Sequence, residues 1–292
     1  MDGQQSTDGG GREFQRVSDE LRARMTDGTY ARGSFLPSQR DLAEEFGVSR
    51  DTVQRALREL VSEGWIESRQ GSGSRVIKTQ RIQSSTPKAS RTPRGMTLGP
   101  LISEAFEQPE VTLDVYTLTS ESLDAHIRLQ AERIHGRLIT PERIALRMLL
   151  PDKSLPLPYP RVSDDKDDPR LGQRLHAITQ RHTDSLRGLL KDLKTEKLVD
   201  DVDVQIRHVP LIPAFKLYLL NGVEVLHGMY EVIERQMELD SGEVVSALDV
   251  LGLGTVLTHH VKDADPDSPG SVFVDSMQAW FDSVWDRLAV PE

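Results

Sequence analysis

The stretch Leu36-Pro37-Ser38-Gln39-Arg40-Asp41-Leu42-Ala43-Glu44-Glu45-Phe46-Gly47-Val48-Ser49-Arg50-Asp51-Thr52-Val53 constrains the fold of this chain more than any other. Ser38 followed by Asp41 marks a helix start, because a serine oxygen can accept an otherwise unpaired first-turn N–H. Leu42, Ala43 and Phe46 make one apolar face, and Gly47 stands where a left-handed residue ends the helix. Ser49 caps a second helix, with Val53, Ala56, Leu57, Leu60 and Val61 at helical spacing. That spacing turns Arg50, Asp51, Gln54, Arg55 and Arg58 outward. A helix-turn-helix that presents Arg and Gln beside a capped N-terminus suits the DNA major groove.

The flanks complete the unit. Phe14, Val17, Leu21 and Met25 share one face of a preceding amphipathic helix, closed by the turn Asp27-Gly28-Thr29-Tyr30. Gly64 stops the second helix of the pair. Trp65–Arg69 and Ser74–Lys78 then read as two strands around Gln70-Gly71-Ser72-Gly73, with Trp65 in the core at their base. A glycine-rich tip lets backbone approach a phosphate closely. Three helices and a β-hairpin make a winged helix-turn-helix.

Residues 13–78 resemble the DNA-binding domain of the GntR family of bacterial transcription regulators. The resemblance rests on Leu36-Pro37-Ser38, Arg40, Leu42-Ala43, Phe46-Gly47-Val48-Ser49-Arg50, Thr52-Val53, Ala56-Leu57, Leu60, Glu63-Gly64 and Gln70-Gly71-Ser72-Gly73. It implies that Arg40, Ser49, Arg50, Thr52 and Gly71 sit where the family contacts DNA. Gln54 and Arg55, turned outward on the same helix, complete the candidate DNA-binding set. Gln39 stands where the family usually has Glu, and Gln54 where some members carry a groove-reading Arg. Thr52 has a second reading as a local backbone hydrogen-bonder, and Arg58 as part of a solvated helix face.

The charge distribution bears on the same point. Residues 1–95 hold 16 Lys and Arg against 13 Asp and Glu, whereas the remainder holds 20 against 33, within a chain of net charge −10. Only the N-terminal third is suited to phosphates, and its excess is small. A homodimer that doubles the basic surface is therefore the expected binder. The chain has no cysteine, which excludes disulfides and thiolate metal sites. Residues 1–12, without an apolar h-region, read as a disordered tail rather than a signal peptide. No apolar run is long enough to span a bilayer, so the expected location is the cytoplasm.

Residues 79–95 are rich in Ser, Thr, Pro and basic residues and read as a linker. From residue 96 to 292 helical patterns (100–108, 121–137, 169–195, 271–289) alternate with strand-like runs (111–116, 144–150, 202–207, 215–220, 223–232, 244–250). That alternation predicts an α/β domain with a mixed sheet, and the Pro- and Asp-rich stretch 151–168 reads as a surface loop. Residues 214–229 also resemble a degenerate, non-catalytic phospholipase D-like motif. Lys216, Asn221 and Gly228 fall on the Lys, Asp and Gly positions, while Ala214 replaces the nucleophilic His and Met229 the Ser. Without that His no phosphohistidine can form there. The same residues read equally as an Asn-Gly hairpin turn between two apolar strands. His260-Val261-Lys262 followed by Asp267 matches the intact motif literally, but in an Asp/Pro loop context that marks it as coincidence. His259 and His260, adjacent on a strand, point apart and make no metal site.

Thr119, Ser120, Arg147, Arg207 and Lys216 are the candidate ligand groups; if they converged, they would bind an anionic or phosphorylated small molecule. The reading that follows is a non-enzymatic, cofactor-free regulator of transcription, a homodimeric repressor on a palindromic double-stranded operator. Its second domain would sense a ligand or dimerise. The alternatives are a DNA-tethered phosphodiesterase-like enzyme and a regulator controlled by protein partners without a small ligand.

Overall fold

The computed structural model describes residues 7–26, 29–31, 33–62, 65–69, 73–77, 82–84, 98–239, 241–252 and 255–292. The chain divides into two compact units, Met1–Thr79 with Glu238–Glu243, and Gln80–Met237 with Val244–Glu292.

In the first unit α1 (Thr7–Thr26), α2 (Gln39–Phe46) and α3 (Arg50–Ser62) precede a wing of β1 (Ile66–Arg69) and β2 (Gly73–Val76). The two strands are antiparallel, with Ile66 opposite Val76 and Arg69 opposite Gly73. Val17, Leu21 and Met25 of α1, Leu42 and Phe46 of α2, and Val53, Ala56, Leu57 and Leu60 of α3 are all buried, and Trp65 and Val76 extend that core to the wing. The helical periodicity read from the sequence is thus the packing pattern. α1 begins at Thr7, inside the stretch expected to be a disordered tail. Once the buried face from Val17 to Met25 has nucleated the helix, each added residue gains a backbone hydrogen bond.

The second unit is a layered α/β domain. Its main sheet has eight strands in the order β13-β7-β5-β4-β8-β9-β12-β3. They are β3 (Ile82–Ser84), β4 (Glu110–Tyr116), β5 (Arg143–Pro151), β7 (Asp201–Val209), β8 (Phe215–Leu220), β9 (Glu224–Met229), β12 (Leu257–Val261) and β13 (Val290–Pro291). β4, β5 and β7 are parallel neighbours, joined through α5 (Glu121–His135) and α6 (Arg170–Thr195). A parallel pair needs such a crossover, and a helix supplies it. Alternate strand residues (Val111, Leu113 and Val115; Ile144, Leu146 and Met148) pack under α5, α6 and α4 (Leu98–Ala105). The opposite face (Tyr116, Leu149, Leu217, Leu219) packs against α7 (Pro269–Arg287). A smaller sheet has the order β10-β11-β6, from β10 (Val232–Glu238), β11 (Val244–Val250) and β6 (Arg161–Val162).

Three features depart from the sequence reading. Ile82–Ser84, inside the expected linker, pairs in parallel with Leu257–His259 of β12. The exposed edge of β12 offers unpaired N–H and C=O groups that an extended segment can satisfy whatever its side chains. The apolar run 223–232 is two strands, because the chain leaves the main sheet after Met229 and enters the smaller one at Val232. Tyr230 fixes that break: its hydroxyl accepts the Leu118 N–H at 2.9 Å and bonds Thr117 Oγ1 at 3.1 Å. Finally, the stretch expected as a surface loop, 151–168, carries β6, too short to show a period of two.

Candidate nucleic-acid interface

α2 and α3 are set by three local devices. Ser38 is the N-cap of α2, with ψ 156° and its Oγ accepting Asp41 N–H at 3.2 Å. Gly47 ends that helix in the left-handed region at φ 65°, ψ 33°. Among the described residues a Cβ there would meet nothing within 4 Å, so the backbone angle alone calls for glycine. Val48 N–H then returns to Ala43 O at 3.0 Å, and Ser49 Oγ accepts Thr52 N–H at 3.1 Å to start α3.

The candidate DNA contacts separate into two groups. Arg40 in the first turn of α2, and Ser49, Arg50, Gln54 and Arg55 at the start of α3, are exposed. Arg40 and Arg50 therefore stand at helix N-termini, where backbone N–H groups and the helix dipole favour an anion. The Arg55 guanidinium lies 4.9 Å from the Phe14 ring centroid, which braces it against α1. Thr52 differs: it is only 7% exposed, and its Oγ1 bonds Ser49 Oγ at 2.9 Å, so its local role is the one the geometry displays. Gly71 lies outside the described residues.

Two further arginines escaped sequence reading. Arg22 is 1% exposed and reaches Asp19 Oδ1 at 2.7 Å and Glu59 Oε1 at 3.1 Å, tying α1 to α3. Arg24 bonds Glu20 at 2.8 Å and the Tyr30 hydroxyl at 3.2 Å, and also pairs with Glu45. Their spacing from Asp19 (i, i+3) and Glu20 (i, i+4) was the available signal that they pair within the fold.

Comparison with known proteins bears on this unit. Residues 14–76 match the model of bacterial regulatory proteins, gntR family. The N-terminal unit is a gntR-family winged helix-turn-helix. The chain is 42% identical over 69 residues to the mannosyl-D-glycerate transport/metabolism system repressor MngR of Escherichia coli, covering 24% of this chain and 28% of that one. It is 36% identical over 90 residues to the HTH-type transcriptional repressor NagR of Bacillus subtilis, covering 30% and 37%. Among solved structures, AraR(DBD) in complex with operator ORE1 is 33% identical, covering 22% of this chain and 78% of that one, with TM-score 0.22. The chain thus spans about a quarter to a third of the length of these curated relatives, and what it shares with them is the gntR-family segment.

The five candidate ligand groups of the second unit are not brought together. Arg147 and Arg207 point to the α7 side of the sheet. Arg147 binds Asp114 through two bonds of 2.7 and 2.5 Å and Asp282 at 2.8 Å. Arg207 bonds Trp285 O at 3.0 Å and lies 4.3 Å from the centroid of its ring. Lys216, 3% exposed, bonds Gly252 O at 2.8 Å. Thr119 O accepts the Thr117 hydroxyl at 2.9 Å, and Ser120 Oγ bonds Thr183 Oγ1 at 3.2 Å. Arg147 is held by carboxylates and its charge is already matched, so the expected anion site does not form from these residues.

The hairpin β8–β9 accounts for the motif-like residues 214–229. Asn221 and Gly222 are the central residues of the turn that Val223 N–H closes onto Leu220 O at 3.1 Å, and their φ of 51° and 65° are both positive, as such a turn requires. Asn221 Oδ1 accepts Thr112 N–H at 2.8 Å and its amide donates to Ala105 O at 3.1 Å. A Cβ on Gly228 would stand 2.7 Å from Leu257, Thr255 and Val256 atoms, so close approach of the neighbouring segment demands glycine there. His259 bonds Glu224 at 2.9 Å, while His260 stacks on Phe273 at 3.9 Å; the two imidazoles occupy opposite sides of β12. Among the described residues no group of three or more His, Cys, Asp or Glu is placed to hold a metal ion, and no helix is long and apolar enough to cross a membrane.

Proposed function

We propose that this chain is a sequence-specific DNA-binding regulator of transcription that acts as a homodimeric, cytoplasmic repressor. The observation that carries the reading is the capped start of α3, which presents Arg50, Gln54 and Arg55 to solvent within a gntR-family segment. α3 would enter the major groove, with Arg40, Ser49, Arg50, Gln54 and Arg55 as the contacts. Arg40 and Arg50 would hold phosphate or guanine edges, and Gln54 would suit adenine. The wing tip at Gly71 would follow the backbone. Thr52 would act through Ser49 by fixing the cap.

A modestly basic reader on an acidic chain favours paired binding to a palindromic operator. The two copies of α3 would stand about 34 Å apart, one turn of DNA. The second unit would hold that spacing by dimerising, or set it by sensing a ligand that prefers one arrangement. Repression is carried over from MngR and NagR, whose names call them repressors. The phospholipase D-like reading has no support from these residues, since Lys216 donates to Gly252 O, Asn221 accepts the Thr112 N–H, and Gly228 is where Thr255, Val256 and Leu257 approach most closely.

Selection of binding sites from a random duplex library, run at low and at high salt with the purified chain, tests the proposal. The expected outcome is an enriched sequence with dyad symmetry whose affinity falls steeply with log salt concentration. Enrichment of no sequence at either salt would overturn it.

A further inference from the structure

The second unit contains a cavity of ≈ 680 Å³, within the range of small-molecule sites. It opens at the carboxyl ends of the parallel strands: Leu118 follows β4, Leu150 lies near the end of β5, and His208 near the end of β7. In open α/β sheets this edge is where ligands bind, because crossover loops and helix starts converge there. α6 supplies another wall with His176, Thr179, Gln180 and Thr183, whose spacing puts them on one helical face. Leu155, Leu157 and Tyr159 of the loop after β5 supply an apolar side. The Tyr159 hydroxyl is engaged with Pro213 O at 2.5 Å, so that residue offers the cavity its ring.

His208 is the decisive side chain. It is 7% exposed, it lines the cavity, and among the described residues its imidazole has no hydrogen-bond partner. Its ring nitrogens are not among the sealed, unpartnered atoms, so they stay open to the cavity that His208 lines. Burial pushes its pKa below the ordinary histidine range; Glu292 and Asp152 oppose the shift, whereas Lys153 and Arg187 add to it. A neutral imidazole presents one donor and one acceptor.

The charges around the cavity are already balanced. Lys153 Nζ bonds Glu292 Oε1 at 3.0 Å and Gln180 Oε1 at 3.2 Å, and Glu292 also pairs with Arg187. Asp152, bonded by Ser154 N–H at 2.8 Å and by the Ser154 hydroxyl at 2.5 Å, stays a carboxylate well below neutral pH. An anion entering here would meet Asp152 and Glu292 with the cations already shared.

We propose that this cavity is a binding site for an uncharged small molecule with an apolar body, which packs on Leu118, Leu150 and Leu157, and a hydrogen-bonding end that meets His208. This class replaces the anionic effector expected from the sequence, because Arg147, Arg207 and Lys216 do not line the cavity. The inference deepens the sensory role proposed above for the second unit and rests on it.

Three isosteric probes separate the charge classes: 2-naphthamide (neutral), 2-naphthoate (anionic) and 2-naphthamidine (cationic). Each is titrated by calorimetry into the full chain without DNA, and in parallel into chain carrying ring-labelled histidine for NMR. The expected result is that naphthamide binds about tenfold or more tighter than either charged probe and shifts the His208 ring signals. His208→Phe should weaken naphthamide about tenfold, and Thr179→Trp, placed on the partly exposed face of α6, should block it by filling the mouth. Equal or tighter binding of either charged probe, or naphthamide binding that leaves the His208 signals and the Thr179→Trp chain unaffected, would overturn the assignment. Absence of binding by all three would overturn it too. Because no DNA is present, such a failure leaves the operator-selection result standing, and the converse also holds.

Discussion

Arg22 of α1 and Glu59 of α3 meet at 3.1 Å inside the first unit, with Arg22 also holding Asp19 at 2.7 Å. The pair crosses from the supporting helix to the helix that carries Arg50 and Gln54. It therefore sets the pitch at which the exposed face of α3 is offered. A charge this deeply buried adds little net stability when paired, but its removal leaves the partner carboxylates desolvated without a cation.

Arg22→Met should accordingly destabilise the first unit by about 3 kcal/mol. Urea denaturation followed by a probe in this unit, such as Trp65 fluorescence, measures the loss. A loss within error of zero would mean that the pair does not clamp α3.

The cap of α3 is a smaller term. Ser49→Ala removes the acceptor of the Thr52 N–H and should cost about 1 kcal/mol, with Ser38→Ala costing a similar amount at α2. Thermal unfolding of the two variants checks this. Thr52→Val, which leaves the Ser49 Oγ bond to the backbone in place, should cost less than Ser49→Ala.

Stability should fall in acid through a buried histidine of α5. His126 is fully buried, its Nδ1 has no hydrogen-bond partner among the described residues, and burial lowers its pKa to about 3 from the ordinary 6.5. The unfolded chain therefore binds a proton that the folded chain refuses, so this contribution is complete above about pH 6.5 and shrinks as the pH drops toward 3. The slope approaches about 1.4 kcal/mol per pH unit. Chemical denaturation across that window should show it, and His126→Leu should flatten it.

The β8–β9 turn allows a sharper separation of the two readings of residues 214–229. Asn221→Ala loses two hydrogen bonds and places a Cβ residue at φ 51° without the amide that favours it. It should cost about 2 kcal/mol. Asn221→Asp keeps the acceptor for Thr112 N–H and should recover part of that loss. A cost near zero for Asn221→Ala would show that the turn does not depend on this residue.

Legibility differed between the two units for a physical reason. In the first unit the core is made of local helical stripes, so Leu42, Phe46, Val53 and Leu60 could be placed from spacing alone, and the caps at Ser38 and Ser49 from residue type. In the second, helices and long strands such as β5 and α6 were visible, but β3, β6 and β13 were not, because segments of two or three residues carry no period. The candidate ligand groups failed for a related cause. Arg147 and Arg207 were legible as charged residues within strands, but not the register that brings them to one face, nor that Asp114, Asp282 and Trp285 already occupy them. The cavity was hidden because it is assembled by the ends of β4, β5 and β7 with α6, and proximity of strand ends is a property of topology. Its most informative residue, His208, stands just past the strand-like run 202–207, in a segment of mixed polar and apolar residues that no motif marks.

The central claim concerns the exposed face of α3, and Arg50→Ala tests it most directly. Arg50 is exposed and outside the core, so the variant should unfold at the wild-type denaturant concentration. On the selected operator, with salt concentration held fixed, it should lose about tenfold or more in affinity, the 1–3 kcal/mol typical of a groove contact. Operator binding at full strength by a correctly folded Arg50→Ala chain would contradict the assignment of α3 as the element that reads DNA.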